Sequence, residues 1–243
     1  MSIQTVAIPR GSGQKDMRGW LALPNPDDAD NEDAPGVLVI HEIHGLIENQ
    51  KAILERFAAN GYVALAPDLY DGSGPKALCV VRSMLSMWRG KGAAMKDLRF
   101  ARKFLEVQPQ VDASRLGAAG FCMGGGFALL MALEPGISAV APYYGSTPTF
   151  FKAKEPSCPV IGGFGGRDMI FAPLGKKLEK HLNKRAIPND VKHYPKAGHS
   201  YMTKERGGFQ EWLAALPPMR VGYNHDAAED SWERMLSFFG EHI

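Results

Sequence analysis

Cysteine, net charge and long apolar runs are all scarce in this sequence. It has three cysteines in 243 residues, Cys79, Cys122 and Cys158, which is too few and too scattered for a disulfide framework or a zinc cage. Its 28 basic and 26 acidic side chains leave a net charge of +2, too small to attract nucleic acid or an anionic membrane by electrostatics alone. It has no apolar run of the roughly 18 residues that a membrane helix needs, and residues 1–15 lack the layout of a signal peptide. We therefore expect a reduced, cytoplasmic protein with no membrane and no nucleic acid as its partner.

Residues that form turns are plentiful by contrast. Glycine occurs 27 times and proline 17 times, and this excess predicts tight turns between many short elements. No internal repeat, low-complexity tract or long linker divides the sequence. Since α/β folds often reach roughly 250 residues as one unit, residues 1–243 are predicted to form a single domain.

Strand-like and helical patterns alternate along the chain. A polar stretch at 24–35 joins an N-terminal strand pair to apolar runs at 36–42 and 62–70, which are typical of strands buried on both faces of a sheet. The helical pattern at 48–61 lies between these two runs. The alternation predicts an α/β fold in which helices flank both faces of a mostly parallel sheet, with functional residues at the carboxyl ends of the strands. Further strands are predicted at 114–121, 137–143, 158–164 and 189–194, and further helices at 76–89, 93–107, 126–134, 173–185 and 227–240.

One of these strand ends carries a candidate nucleophile. Gly120-Phe-Cys122-Met-Gly124 stands between a predicted strand and a predicted helix, which is the form of a nucleophile elbow with cysteine in the serine position. A sharp turn of this kind accepts only small residues two positions before and two after the nucleophile. The following helix would direct its N-terminal dipole at the sulfur. The alternative is that Cys122 is a small buried apolar residue and the glycines serve helix–strand packing.

An activated cysteine needs a base, and the base needs an acid that orients it. Asp168 follows the strand-like run at 158–164, and His199 follows the run at 189–194. The order of nucleophile, acid and base is that of α/β hydrolases. The alternatives are that Asp168 caps a turn and pairs with Arg167, and that His199 is a solvent-exposed loop residue.

Two further histidines flank an acid at the end of the first buried strand. His41, Glu42 and His44 lie in the run His-Glu-Ile-His. A zincin pattern requires histidines four residues apart on a helix, and these are three apart at a strand end. We therefore predict no metal site here.

Together these stretches resemble the dienelactone hydrolase family of the α/β-hydrolase superfamily, from about residue 36 to the C-terminus. The resemblance implies an α/β-hydrolase fold and a carboxylic ester hydrolase or lactonase that uses no cofactor. Class I amidotransferases share the cysteine elbow but carry His-x-Glu, whereas His199 is followed by Ser200 and Tyr201. The matching stretches are VIHEIHGL (39–46), GYVALAPDLY (61–70), GFCMGGG (120–126), GGRD (165–168), AGHSYM (197–202) and AAEDSWERMLSFF (227–239).

The resemblance also assigns roles to residues of the site. It implies a triad of Cys122, Asp168 and His199, with Glu42 as a fourth member. A carboxylate near a thiol opposes thiolate formation through like charge, so Glu42 would protect Cys122 until substrate arrives. The alternative is that Glu42 is an ordinary strand-end carboxylate. The resemblance places the oxyanion hole at the backbone N–H groups of Ile43 and Met123.

The substrate carboxylate of dienelactone usually meets two arginines in this family. Arg82 matches the first arginine. The second is expected a few residues after His199, where this chain has Met202, Thr203 and Lys204. An ammonium lacks the planar fork of arginine, so the sequence does not identify dienelactone and favours another small anionic ester or lactone. The candidate pocket residues besides these are Trp88, Tyr144 and Phe164.

The predicted function is therefore hydrolysis of a small ester or lactone through a Cys–His–Asp triad and a thioester, by a monomer or homodimer. Two alternatives belong to other classes. One is a thiol-based redox or stress protein, although no second cysteine stands at Cys-x-x-Cys spacing from Cys122. The other is a non-catalytic binding domain on the same fold.

Overall fold

The described part of the chain comprises residues 2–11, 13–25, 33–71, 74–152, 154–204 and 215–243 of a computed structural model. In these residues eight strands form one sheet. They are β1 (Ser2–Ile8), β2 (Met17–Leu23), β3 (Ala34–Ile40), β4 (Val63–Pro67), β5 (Val111–Phe121), β6 (Ala139–Tyr143), β7 (Val160–Gly165) and β8 (Asn189–Tyr194).

The sheet is mostly parallel, as the sequence predicts. Its strand order is β1-β2-β4-β3-β5-β6-β7-β8. The N-terminal pair β1–β2 and the pair β2–β4 are antiparallel, and every pair from β4 through β3 to β8 is parallel. The carboxyl ends of β3, β5, β6, β7 and β8 therefore meet at one edge of the sheet.

Helices cover both faces because alternate strand residues point to opposite sides. In β3, Leu38 and Ile40 belong to one apolar cluster, and Val37 and Val39 belong to another. The described helices are α1 (Glu48–Ala58), α2 (Lys76–Arg89), α3 (Ala93–Glu106), α4 (Met123–Met131), α5 (Thr149–Lys152), α6 (Ala172–Lys184) and α7 (His225–His242). The first cluster packs against α2, α3, α4 and α6, and the second against α1 and α7.

The predicted α/β-hydrolase architecture is confirmed, with differences at element ends. Strand β5 begins at Val111, three residues before the predicted start. Helix α5 spans four residues, too few for a periodic pattern to reveal it. Much of the polar stretch at 24–35 lies outside the described residues. None of the described helices is both long and apolar enough to cross a bilayer.

Candidate active site

The residues predicted to carry chemistry follow neighbouring strands at one edge of the sheet. Cys122 comes directly after β5, and Glu42 lies two residues beyond the end of β3. Asp168 follows β7 and His199 follows β8. The fold therefore brings together side chains that are up to 157 positions apart in the sequence.

Cys122 lies in a strained turn between β5 and α4. Its backbone has φ of 55° and ψ of −114°, and its N–H donates to the carbonyl of Tyr143 over 3.1 Å. A Cβ on Gly120 would come within 2.0 Å of the Gly124 carbonyl oxygen, and one on Gly124 within 2.1 Å of the Ile40 carbonyl oxygen. Both glycines are therefore required by the elbow, and Gly124 also allows the close helix–strand packing of the alternative interpretation. A positive φ at a non-glycine residue is costly and typical of functional sites.

Exposure separates Cys122 from the other two cysteines. Cys79 and Cys158 are buried free thiols, whereas Cys122 is half-buried and lines a cavity. Burial raises the pKa of Cys158 to about 12, so that sulfur stays a thiol at neutral pH. Cys122 is also followed directly by the N-terminus of α4, where backbone N–H groups and the helix dipole favour negative charge.

Asp168 uses its two carboxylate oxygens for different purposes. Its Oδ1 accepts the backbone N–H groups of Ile170 and Phe171 at 2.9 and 3.0 Å. Its Oδ2 lies 2.6 Å from Nδ1 of His199. Asp168 is fully buried. The turn-capping interpretation is therefore correct for one oxygen, while the other is aligned with an imidazole as a triad requires.

His199 is buried rather than exposed in a solvent loop. Its backbone is held by hydrogen bonds to Met219 and Gly222, and its ring packs 4.6 Å from Phe171 and 5.3 Å from Tyr144 between centroids. Among the described residues, no atom forms a hydrogen bond of normal distance and angle with its Nε2. The imidazole is thus oriented from behind by Asp168, and its ring lines the cavity together with Cys122.

The charge of His199 reflects opposing effects. Burial disfavours the imidazolium, but the hydrogen bond to Asp168 and the interaction with Cys122 outweigh it and raise the pKa of His199 to about 9. The two side chains that contact the ring therefore favour its protonated form.

Glu42 is held by Thr203, a residue to which the sequence alone assigned no role. Thr203 donates its hydroxyl proton to Oε1 of Glu42 over 2.9 Å, and both side chains are buried. The two residues are 161 positions apart, so no local pattern relates them. Glu42 lines the same cavity as Cys122 and His199.

A network of hydrogen bonds fixes the backbone that follows Glu42. His41 accepts the N–H of Leu69 at Nε2 over 3.2 Å, so its Nδ1 donates to the Glu42 carbonyl over 2.7 Å. Burial lowers the pKa of His41, which keeps this ring neutral. The hydroxyl of Tyr70 donates to the Ile43 carbonyl over 3.1 Å. Both ring nitrogens of His41 are therefore used by the backbone, which leaves neither for a metal.

The candidate residues surround a cavity of about 450 Å³. Its lining includes six residues that the sequence predicts for the site, Glu42, Ile43, Trp88, Cys122, Met123 and His199, together with ten others, most of them apolar. These further lining residues are His44, Met84, Met87, Ser146, Ile170, Phe171, Leu174, Ser200, Met219 and Val221.

Four predicted pocket residues are absent from the described lining. Arg82 is exposed on α2, and Lys204 is exposed with its Nζ 5.5 Å from the ring of Tyr223. Tyr144 is buried against the His199 ring, and Phe164 is buried against His193. Tyr144 therefore contacts the base from behind, while the roles of Arg82 and Lys204 in substrate binding stay predictions. Among the described residues, no three His, Cys, Asp or Glu side chains are grouped as metal ligands.

Comparison with known proteins gives a consistent result. The model of the dienelactone hydrolase family matches residues 17–243. A protein of Saccharolobus solfataricus described as "Putative carboxymethylenebutenolidase" is 29% identical over 259 residues, which cover 91% of this chain and 93% of that protein. A dienelactone hydrolase-like promiscuous phosphotriesterase from metagenomic libraries is similar in structure, with a TM-score of 0.79 and 22% identity over 99% of this chain and 98% of that chain. An acylaminoacyl peptidase of Pyrococcus horikoshii matches with a TM-score of 0.71 and 13% identity, over 100% of this chain and 42% of that chain. At these identities the two structural matches speak for the fold alone.

Proposed function

The chain belongs to the dienelactone hydrolase family, and on that premise we propose that it hydrolyses a small carboxylic ester or lactone through a triad of Cys122, His199 and Asp168. The single observation that carries the proposal is the elbow. A half-buried cysteine with φ of 55° lies at the N-terminus of a helix and lines a cavity together with a buried, Asp-bound histidine.

The first half-reaction forms a thioester. The Cys122 sulfur attacks the carbonyl carbon of the substrate as a thiolate, while Nε2 of His199 holds the proton. The resulting oxyanion accepts hydrogen bonds from the backbone N–H groups of Ile43 and Met123. When the tetrahedral intermediate collapses, the C–O bond of the ester breaks and His199 returns its proton to the leaving alkoxide. In a lactone this alcohol stays tethered to the acyl group.

The second half-reaction hydrolyses the thioester. His199 removes a proton from a water molecule, and the hydroxide attacks the acyl carbon. A second oxyanion forms in the same place, the C–S bond breaks, and the sulfur recovers its proton from His199. The products are a carboxylic acid and free Cys122. Asp168 keeps one imidazole tautomer throughout and stabilises the imidazolium.

Glu42 controls the sulfur before substrate binds. Its carboxylate is held by Thr203 and lines the cavity with Cys122. A negative charge there disfavours the thiolate, which protects the sulfur from oxidation and alkylation between turnovers. Substrate that displaces or screens this carboxylate removes the restraint.

The experiment is hydrolysis of p-nitrophenyl butyrate by wild-type protein, Cys122→Ala and the control Cys158→Ala. Cys158 is a buried thiol outside the described cavity lining. Cys122→Ala should lose about 10⁴-fold in kcat/KM, and Cys158→Ala should retain activity if it folds. Iodoacetamide should inactivate wild-type protein in proportion to alkylation of Cys122.

Two results would reject the proposal. One is a Cys122→Ala variant that keeps more than about a tenth of wild-type activity, since removal of a triad nucleophile costs far more. The other is a wild-type protein that hydrolyses no ester or lactone but consumes peroxide at Cys122, which would favour the redox alternative.

A further inference from the structure

We propose that the substrate carries an uncharged, apolar group that packs against Met84, Met87 and Trp88 of α2. This inference rests on the proposed function and names its substrate class. It departs from the sequence-based prediction of an anionic substrate, because the described lining of the cavity is mostly apolar.

Helix α2 supplies an apolar wall that is only partly covered. Met84, Met87 and Trp88 all line the cavity. Met87 is buried, but 38% of Met84 and 59% of Trp88 remain exposed. Leaving such side chains in water is unfavourable, and a ligand that covers them gains the corresponding hydrophobic free energy. Methionine side chains also adapt readily to the shape of an apolar ligand.

Exposed apolar residues are concentrated at this part of the molecule. The described residues include ten large apolar side chains that are strongly exposed, and five of them belong to α2. A sixth, Ile170, lines the cavity together with Met84 and Trp88. Grouped apolar exposure of this kind is one mark of a ligand-binding groove, and here three of the exposed side chains, Met84, Trp88 and Ile170, line the cavity.

The charges of the cavity do not suit an anion. No lysine or arginine is among the described residues that line it. Its basic side chains are the imidazoles of His44 and His199, and His199 is already bound to Asp168. The carboxyl group of Glu42 also lines it, and like charges repel. Among the described residues, a substrate carboxylate placed there would meet no lysine or arginine, and its desolvation without such a partner is unfavourable.

The remaining polar groups of the cavity are neutral hydroxyls. Ser146 and Ser200 both line it. The Oγ of Ser200 is buried and has no hydrogen-bond partner among the described residues. An uncharged ester or lactone oxygen is a suitable acceptor for such a hydroxyl. The apolar part of the lining therefore favours a neutral substrate, and the hydroxyls are compatible with one.

The test compares p-nitrophenyl esters that share one leaving group. Between acetate, butyrate and hexanoate, kcat/KM should rise about fourfold for each methylene group that the cavity covers. Mono-p-nitrophenyl succinate has the same chain length as the butyrate but ends in a carboxylate. Its kcat/KM should be at least about tenfold lower, because the charge is buried without a partner.

Variants of α2 test whether this helix causes the preference for the neutral ester. Met84→Arg places a cation in the cavity lining and should raise the succinate-to-butyrate ratio of kcat/KM about tenfold or more. Leu85→Arg is the matched control, because Leu85 is 46% exposed on the same helix and is not part of the described lining. It should leave the ratio unchanged. Arg82→Ala, at an exposed position on α2 outside that lining, should also leave the ratio unchanged.

Three results would overturn the inference: a wild-type preference for the succinate ester, an equal effect of Met84→Arg and Leu85→Arg, or a selective loss of succinate hydrolysis in Arg82→Ala. A protein that hydrolyses neither ester contradicts the proposed function instead. Calorimetry with the matching aryl ketones, which lack the ester oxygen, then decides the substrate class. Tighter binding of the neutral ketone supports the apolar site, and tighter binding of the anionic one refutes it.

Discussion

The Nδ1 proton of His41 is donated to the carbonyl of Glu42 over 2.7 Å. In a trans peptide the carbonyl and the next N–H point in opposite directions, so this bond also sets the direction of the Ile43 amide. The Tyr70 hydroxyl fixes the following carbonyl. We therefore expect His41 to act as a positioning residue for the proposed oxyanion hole.

Replacing His41 with phenylalanine should lower kcat about 10- to 100-fold while KM changes little, since an oxyanion donor acts mainly in the transition state. His41→Asn keeps a donor near the position of Nδ1 and should recover part of the loss. Steady-state kinetics with p-nitrophenyl butyrate and a melting curve for each variant make the comparison. If melting temperature and activity fall in parallel, or if asparagine restores no activity, His41 contributes only to the packing of the core.

The raised pKa of His199 predicts a pH dependence of stability. Burial opposes its charge, but Asp168 and Cys122 raise its folded-state pKa from 6.5 to about 9. Below pH 6.5 both the folded and the unfolded chain hold the proton, and the stabilisation is complete. Between that pH and about 9 the folded chain binds more protons than the unfolded chain, so the free energy of unfolding falls as pH rises.

Urea denaturation of wild-type protein and His199→Gln, measured at a series of pH values across this interval, isolates the contribution. The stability advantage of the wild type should shrink as pH rises toward 9. An advantage that stays constant or grows would mean that the imidazolium is not stabilised in the folded site.

The coupling of Cys122 and His199 has a kinetic signature. Each alanine substitution alone should cost about 10⁴-fold in kcat, and the double substitution should cost little more, because the two side chains act as one unit. Single and double variants assayed with the same ester complete the cycle. Losses that multiply would assign the two residues to separate steps.

Glu42 and Thr203 together should govern the reactivity of the sulfur. Glu42→Gln removes a negative charge from the cavity and should make alkylation of Cys122 by iodoacetamide faster near neutral pH while ester turnover falls. Thr203→Val keeps the charge but removes its hydrogen bond, so its effect on alkylation should be smaller than that of Glu42→Gln. Identical alkylation rates for wild type and Glu42→Gln at every pH would show that Glu42 is not coupled to Cys122.

The sequence predicts the parts of this molecule whose signals are local. Strand-length apolar runs and helical periodicity locate the parallel sheet, and the spacing of Gly120, Cys122 and Gly124 identifies the elbow because steric contacts within a few residues demand it. The location of Cys122, Asp168 and His199 then follows from strand ends that share one edge.

Contacts that depend on tertiary packing could not be predicted in this way. Thr203 and Glu42 meet across 161 positions, and the Leu69 amide that donates to Nε2 of His41 lies 28 positions away from it. The apolar wall of α2 has an amphipathic pattern like that of any surface helix. The cavity adds Met84 to the predicted pocket residue Trp88 in the lining that they share with Cys122, and it leaves Arg82 outside that described lining.

Trapping the acyl-enzyme tests the central claim most directly. Wild-type protein mixed with p-nitrophenyl butyrate, quenched with acid during turnover and mapped by peptide mass spectrometry, should carry one butyryl group on Cys122. The Cys122→Ala variant under the same conditions should carry none at that peptide. Steady turnover with no acyl group on Cys122, or with the acyl group on Ser200 or another side chain, would contradict the assignment of Cys122 as the nucleophile.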